Sequence, residues 1–220
     1  MLETTREKGT RAVQRRSTSG RCVIWLIPRR RSIDAFKKLL PGYELAAASS
    51  LTALRKLSRS IACDAFIVHS PLGWAEAEIV CRSIRSHDAH TPIIVYGMQP
   101  HPAERREIMA AGAQAYVARS DDPHNLQGRA AQLIMLSELR SMDALEAHAG
   151  AMQECITGRV TKLARKMKAD PAAAAGAVQT RLKMQAARLF TAAGGTRANF
   201  ERLWPSIYQR ALRALGNVQR

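Results

Sequence analysis

The chain has 220 residues, 46% of them hydrophobic, so it is composed like a globular protein and is long enough to bury a core. No apolar run reaches the roughly 18 residues that a membrane-spanning helix needs, and no N-terminal apolar segment of the kind that directs secretion is present. The four cysteines lie far apart without a CxxC pair, which is typical of reduced thiols in the cytoplasm and not of a zinc site. We therefore expect a cytoplasmic protein with no membrane association, metal ion or cofactor.

The formal net charge of +16 is unevenly distributed along the chain. Residues 1–21 hold six basic and two acidic residues, residues 22–150 hold fifteen and thirteen, and residues 151–220 hold thirteen and three. This partition indicates a nearly neutral core with basic ends that attract anions. Residues 1–21 are rich in Arg, Thr and Ser and are predicted to form a disordered basic tail, either a solvated leader or an arm that adds phosphate contacts.

Between residues 22 and 137, strand patterns alternate with helix patterns. The helical segments carry apolar residues at steps of three and four, as in Leu51, Leu54 and Leu57. Such alternation predicts an α/β fold, a parallel, doubly wound sheet of five strands in the flavodoxin-like order 2-1-3-4-5. The predicted strands are Cys22–Ile27, Tyr43–Ala48, Asp64–Val68, Pro92–Tyr96 and Ala115–Ala118.

The third predicted strand is an unbroken apolar run that leads into a Ser-Pro-Leu-Gly turn. Such a run is typical of a strand that is buried on both faces of a parallel sheet. Ligands and reactive groups in these sheets lie just beyond the carboxyl ends of the strands. Here that position holds His69.

Five segments, in this order, resemble the receiver domain of response regulators. The resemblance implies a phosphoryl-transfer site at the carboxyl ends of strands one, three, four and five. It implies an acidic pair that binds Mg²⁺, an Asp that accepts the phosphoryl group, a Thr or Ser, and a Lys followed by Pro. The segments are Gly42-Tyr43-Glu44, Leu51–Leu57, Asp64–Val68, Thr91–Val95 and Ala111–Val117.

The chain departs from the receiver pattern at each of these site positions. It offers Pro28 and Arg29 after strand one, His69 after strand three, Gly97 after strand four and Arg119 after strand five. Mg²⁺ binds through carboxylates, which an Arg-rich turn does not supply. We therefore predict a pseudo-receiver that is not phosphorylated by the chemistry of the family and is not an enzyme.

Three interpretations of His69 stay open. As a nucleophile it would need an orienting partner and a stabilised leaving group, which the sequence does not supply. It is otherwise an imidazole bonded to the backbone at the end of a strand. In the third interpretation, His69, Arg29 and Arg119 form a pocket for a small anion, unless both arginines point to solvent.

The last third of the chain is predicted to be an all-α domain over residues 138–220. A helical stripe of apolar residues runs from Leu126 to the helix breaker Pro171. It fits a dimerisation helix or core within one chain equally well. A further helix begins at Pro171, and Thr196 is suited to cap a last helix, which we expect Pro205 to kink or restart.

This C-terminal domain is strongly basic, and a charge excess of this size is more than solubility needs. We interpret the basic residues as a surface that binds phosphate backbones. The candidate nucleic-acid-binding residues are Arg159, Lys162, Arg165, Lys166, Lys168, Arg181, Lys183 and Arg188.

The sequence thus predicts a non-catalytic regulator. A receiver-like platform would be coupled to a basic helical domain that binds nucleic acid, DNA in preference to RNA, in transcription regulation. The chain is expected to form a homodimer, and the receiver surface is a further candidate site for a protein partner. The alternative is an adaptor whose basic helices dock on an acidic protein.

Overall fold

The computed structural model describes residues 21–27, 33–70, 74–167 and 171–217. Residues 1–20 of the predicted tail, together with Pro28, Arg29 and Lys168, lie outside the described residues, whereas Arg21, the last residue of that tail, is part of a strand. The strands are β1 (Arg21–Leu26), β2 (Tyr43–Ala48), β3 (Ala65–Ser70), β4 (Ile93–Gly97) and β5 (Ala115–Ala118). The helices are α1 (Ile33–Lys37), α2 (Leu51–Ser60), α3 (Trp74–Arg85), α4 (Pro102–Ala110), α5 (Pro123–Met167), α6 (Pro171–Ala192) and α7 (Arg197–Asn217).

The five strands form one parallel sheet in the order β2-β1-β3-β4-β5, which confirms the predicted fold class. Alternate residues of each strand point to opposite faces of the sheet, and helices cover both faces. On one face, Phe66 and Val95 pack with residues of α2, α3 and α4. On the other, Ile67 and Ile94 pack with α1 and with the start of α5. The sequence alternation therefore yields a doubly wound layer structure.

The third strand begins and ends later than predicted. It extends to Ser70, so His69 lies inside the strand, where it pairs with Tyr96 of β4. The predicted end at Val68 was wrong because β4 continues to Gly97 and provides pairing partners for two more residues. In the same way, β1 begins at Arg21, one residue earlier than expected.

Local sequence signals fix the helix ends of this half. Ser50 caps α2 by accepting a hydrogen bond from the backbone N–H of Ala53 at 3.1 Å. His101 and Glu104 form a capping box at the start of α4. Gly112 follows α4 with a φ of +109°, a backbone conformation that favours glycine.

Arg85, at the end of α3, ties three segments of the amino edge of the sheet together. Its guanidinium donates to the carbonyls of Asp88 and Thr91 at 2.9 and 2.8 Å, and to that of Gly112 at 2.9 and 3.0 Å. It also donates to the side-chain oxygen of Gln114 at 2.8 Å. A Cβ on Gly112 would lie 2.6 Å from the Arg85 side chain, so this position needs a glycine for space as well as for its φ.

Helix α5 has 45 residues and passes from the sheet into the C-terminal helices without interruption. At about 1.5 Å per residue it is roughly 67 Å long. Its first turns bury Leu126 and Ile134 against the sheet, and its later turns bury Met152, Ile156 and Val160 against α6 and α7. The apolar stripe from Met152 onward is therefore core within one chain.

The C-terminal core is a three-helix bundle of α5, α6 and α7. A row of buried rings runs through it, with centroids of Phe190, Phe200, Trp204 and Tyr208 separated in turn by 5.6, 5.5 and 5.2 Å. Pro205 lies within α7 and does not restart it, contrary to one expectation, because buried residues on the flanking turns hold the helix in place. No helix in the described part of the chain is long and apolar enough to cross a membrane.

Candidate functional site

The carboxyl edge of the sheet holds His69 within a cluster of aromatic rings. The residue is 4% exposed, and its ring lies 5.6 Å from that of Phe36 and 5.7 Å from that of Tyr96. Phe36 in turn contacts Trp25 edge-on at 4.4 Å. The imidazole that the sequence placed just beyond a strand is thus packed among apolar rings inside it.

The end of β1 is also apolar. Leu26 pairs with Val68, so the next residue, Ile27, comes opposite His69. Ile27 is 4% exposed and its backbone N–H donates to the Ala48 carbonyl at 2.8 Å. A hydrophobic side chain therefore occupies the end of the first strand, next to the predicted departures at residues 28 and 29.

We tested whether this edge fits the Mg²⁺ ion that receiver domains bind. The ion requires several hard oxygen ligands, carboxylates above all. A cavity of about 260 Å³ adjoins His69, and Glu76 of α3 is the acidic residue among those that line it. One carboxylate beside Leu26, Val68 and an imidazole does not make a magnesium site, so the described residues do not fit the ion.

Gly97 ends β4 at a point where no larger residue fits. A Cβ there would lie 2.7 Å from the Ser70 carbonyl oxygen and 2.7 Å from the Tyr116 hydroxyl. That hydroxyl donates a hydrogen bond to the Met98 carbonyl. Burial raises the pKa of Tyr116, and Glu104 raises it further. The place that the receiver pattern gives to a Thr or Ser is therefore filled by a tyrosine hydroxyl from β5.

Arg119 follows β5, and its backbone N–H donates to the Gly97 carbonyl at 2.6 Å. Its side chain is exposed. The structure thus leaves Arg119 in solvent while His69 is buried. The predicted pocket for a small anion includes Arg29, which lies outside the described residues, and it stays a prediction.

At the opposite, amino edge of the sheet, ion pairs attach the last helix to the strands. Asp64, just before β3, accepts a hydrogen bond from Arg202 of α7 at 2.7 Å and one from the backbone N–H of Cys22 at 2.8 Å. Arg202 and Arg21 also pair with Glu138 of α5, at 3.5 and 3.2 Å. No local pattern in the sequence predicts this contact, because its partners lie up to 138 residues apart.

Buried hydrogen bonds strengthen the same junction. The Asn199 amide donates to the Ser137 carbonyl at 3.2 Å and to the Ser141 hydroxyl at 2.8 Å. Ser141 also accepts from the backbone N–H of Thr196 at 3.2 Å, and Thr196 caps α7 as predicted. Arg197 donates to two carbonyls near the end of α2, at 2.8 and 3.2 Å. Helix α7 is therefore fixed to both α5 and the receiver-like half.

A groove of about 420 Å³ lies beside this junction, between the loop before β4, the middle of α5 and the turn before α7. Its polar lining includes His90, Arg140, Asp143 and His148, all exposed. Cationic and acidic groups both face it, so its charge does not select one class of ligand.

Seven of the eight predicted nucleic-acid-binding residues are described, and they separate into one residue that is paired within the bundle and six that are exposed. Lys183 is half-buried and pairs with Glu201 of α7 at 2.5 Å, so it contributes to the bundle itself. Lys168 lies outside the described residues. Six of the predicted residues are exposed, and none of them forms an ion pair with a described acidic residue: Arg159, Lys162, Arg165, Lys166, Arg181 and Arg188.

Helical spacing arranges these exposed cations in rows. Arg159, Lys162 and Lys166 are three and four residues apart, so they share one face at the end of α5. Arg181 and Arg188 are seven residues apart, two turns along one face of α6. The bundle therefore presents cations in rows on neighbouring helices, whereas the rings that contact His69 near the carboxyl edge of the sheet are those of Phe36 and Tyr96.

Solved structures similar to this chain include receiver domains and response regulators. One is the receiver domain of a sensor histidine kinase from Pseudomonas aeruginosa, crystallised with magnesium in its active-site cleft (18% identity, TM-score 0.46, 53% of this chain and 98% of that chain). Another is a response regulator from Thermotoga maritima (20% identity, TM-score 0.46, 53% and 99%). A third is the Francisella response regulator 1452 receiver domain (14% identity, TM-score 0.47, 53% and 98%).

The amino-terminal half of the chain is a receiver-like α/β domain, and its own strand order and helix placement carry this assignment. The similarity covers about half of the chain and leaves the C-terminal helices unmatched. No protein-family model matches the chain, and no curated protein matches it.

Proposed function

We propose that this protein is a regulator that binds the phosphate backbone of nucleic acid, duplex DNA in particular, through its C-terminal bundle, and that it acts in transcription regulation. The observation that carries the proposal is the set of exposed cations on α5 and α6 that form no ion pair with an acidic residue in the described part of the chain, among them Arg159, Lys162 and Arg181. Cations in rows neutralise phosphates and release counterions from the duplex.

The buried aromatic rings support a duplex over a single strand. Proteins that hold single strands stack bases on exposed aromatic side chains. In the bundle, Phe190, Phe200, Trp204 and Tyr208 are all buried in the core. The exposed charges of the described bundle are mainly cationic, which suits backbone contacts that are independent of base identity.

Fluorescence anisotropy with a labelled, non-specific DNA duplex tests the proposal. We expect binding at low salt that weakens steeply as salt rises. Replacing Lys162, Arg165 and Lys166 by Ala should weaken binding to every duplex sequence alike. Absence of binding at low salt contradicts the proposal and favours the adaptor, whose basic helices dock on an acidic protein.

We further propose that the receiver-like half works without phosphorylation and without catalysis. The support is the apolar packing of His69 and Ile27 and the filled space beside Gly97. Incubation with Mg²⁺ and a small phosphodonor such as acetyl phosphate should leave the intact mass of the chain unchanged. A stable phosphoryl adduct, at His69 or elsewhere in this half, contradicts this part of the proposal.

The proposal is for a cytoplasmic protein that pairs with a second copy of itself. A two-fold dimer would present two basic bundles, and phosphate contacts made by both would act together on one duplex. The receiver surface stays a candidate site for a protein partner.

A further inference from the structure

A row of exposed apolar side chains runs along the middle of α5. Met135, Leu136, Leu139 and Met142 are 52, 38, 55 and 42% exposed, respectively. They lie within eight residues of one helix, so they form one patch and are not scattered. We define this patch as the α5 face.

The α5 face is on the solvent side of the helix. In the same segment Ile134, Ser137, Ser141 and Ala144 are buried, and they lie on the opposite side of α5 at steps of three and four residues. The helix is therefore covered on one side by its own chain and open along the other.

The spacing along this face is that of a coiled-coil seam. Exposed residues follow one another at steps of four, three, four, three and four, which keeps one line of contact with a partner helix. A Cβ at the first of them would meet nothing within 4 Å, so the seam is open at that end. The seam consists of Gly128, Gln132, Met135, Leu139, Met142 and Glu146.

The charge of this segment suits a second copy of the same chain. Residues 128–150 hold two basic and three acidic residues, whereas the chain as a whole carries +16. Two basic bundles repel one another, and this segment is one where two copies can approach without that repulsion. An unrelated acidic partner would instead be drawn to the cationic rows of the bundle.

The flanking charges select the orientation of the pair. A parallel pair would stack the Glu146 side chains of the two copies on one another, which places like charges together in the seam. An antiparallel pair packs Met135 against Leu139 of the second copy and places Arg129 opposite its Asp143. The antiparallel arrangement thus separates the Glu146 side chains and forms two attractive Arg129–Asp143 pairs, while Glu138 is already paired with Arg21 and Arg202 of its own chain.

We propose that the α5 face binds the α5 face of a second copy in an antiparallel, two-fold dimer with Met135, Leu139 and Met142 at its centre. This inference rests on the proposed pairing of two chains and is independent of nucleic acid binding. Sedimentation of the full chain without nucleic acid tests it separately from the salt series.

We expect a sedimentation mass of twice the 24.2 kDa of one chain. Leu139→Glu places a charge in the seam and should reduce the mass to that of a single chain, while circular dichroism stays unchanged because the residue is exposed. Met184→Glu, on an exposed residue of α6, is the control and should remain a dimer. A monomeric wild type, or a dimer that persists in Leu139→Glu, overturns the inference.

A charge exchange tests the orientation. Arg129→Asp and Asp143→Arg should each weaken the dimer, and the double exchange should restore it. Fourteen residues separate the two positions, about 21 Å along the helix, so they cannot pair within one chain. Failure of the double exchange to restore the dimer overturns the antiparallel arrangement.

Discussion

Arg202 of α7 donates a hydrogen bond of 2.7 Å to Asp64, the residue that precedes the central strand of the sheet. The Asp64 side chain is 3% exposed, whereas the Arg202 side chain is 43% exposed. A buried carboxylate thus depends on a cation that comes from the other half of the chain. The basic bundle is in this way attached directly to the receiver fold.

Removal of this cation should destabilise the protein. Arg202→Ala leaves Asp64 buried with the hydrogen bond from the Cys22 N–H, and we expect a loss of about 1.5–3 kcal/mol in the free energy of unfolding. Urea denaturation measures it. Arg210→Ala removes an exposed arginine of the same helix and should change the free energy by less than about 0.5 kcal/mol. Equal losses in the two variants contradict a specific role for the Asp64 contact.

The hydrogen bonds of Arg85 should be important for the amino edge of the sheet. Arg85→Ala removes donors to the carbonyls of Thr91 and Gly112, and we expect a loss of about 2–3 kcal/mol in thermal or urea unfolding. Arg82→Ala, which breaks an exposed pair with Glu78 on the same helix, should cost no more than about 0.5 kcal/mol. A small loss for Arg85→Ala means that water replaces these hydrogen bonds at little cost.

Gly97 should not tolerate the hydroxyl residue that the receiver pattern places there. Gly97→Thr brings a Cβ against the Ser70 carbonyl and the Tyr116 hydroxyl, and we expect overpacking to cost about 1–3 kcal/mol. Tyr116→Phe alone should cost about 1 kcal/mol, because the bond to the Met98 carbonyl is lost. A Gly97→Thr variant as stable as the wild type shows that Tyr116 moves aside freely.

Cys22 and Cys81 should react slowly and should make stability fall in alkali. Burial raises the pKa of Cys22 to about 11, with Glu44 and Asp64 adding to it, and raises that of Cys81 to about 12, partly offset by Arg85. At pH 8 a thiol with a pKa near 11 is only about 0.1% thiolate, so disulfide reagents should modify Cys22 and Cys81 of the native chain slowly.

The sign of the pH effect follows from these raised values. The folded thiols hold their protons to higher pH than the unfolded thiols, whose ordinary pKa is 9.0. Their contribution to stability is complete below pH 9 and is lost as the pH rises toward 11 and 12. We expect the free energy of unfolding to fall over this window, and Cys81→Ser should make the fall less steep. A flat profile contradicts the raised values.

The sequence pattern was sufficient for the sheet because each strand is short, apolar and bounded by turn residues. It was insufficient for the ends of the strands, since long-range pairing with Tyr96 and Gly97 of β4 determines that β3 includes His69 and Ser70. The aromatic surroundings of His69 come from Phe36 and Tyr96 on other elements. The sequence therefore indicated that His69 departs from the receiver pattern, but it did not show which side chains surround the imidazole.

The basic domain illustrates a second limit. Helical spacing correctly placed Arg159, Lys162 and Lys166 on one exposed face. It could not show that Lys183 and Arg202 are bound by Glu201 and Asp64 of other elements. Tertiary contacts determine which cations are available for a ligand, and the local periodicity of the sequence does not predict those contacts.

The salt dependence of DNA binding, compared between two charge-matched variants, tests most directly whether the bundle is the functional surface. The bundle variant replaces Arg159, Lys162 and Lys166 by Ala, and the receiver variant replaces the exposed residues Lys56, Arg105 and Arg106 by Ala. Both variants lose three positive charges, so the general electrostatic attraction between the protein and DNA is lowered equally in the two.

We expect the bundle variant to flatten the slope of log Kd against log salt by about 2 to 3, since each lost phosphate contact removes close to 0.9. The receiver variant should keep the slope of the wild type. Equal slopes in the two variants, or no binding by the wild type at low salt, contradict a nucleic-acid-binding bundle.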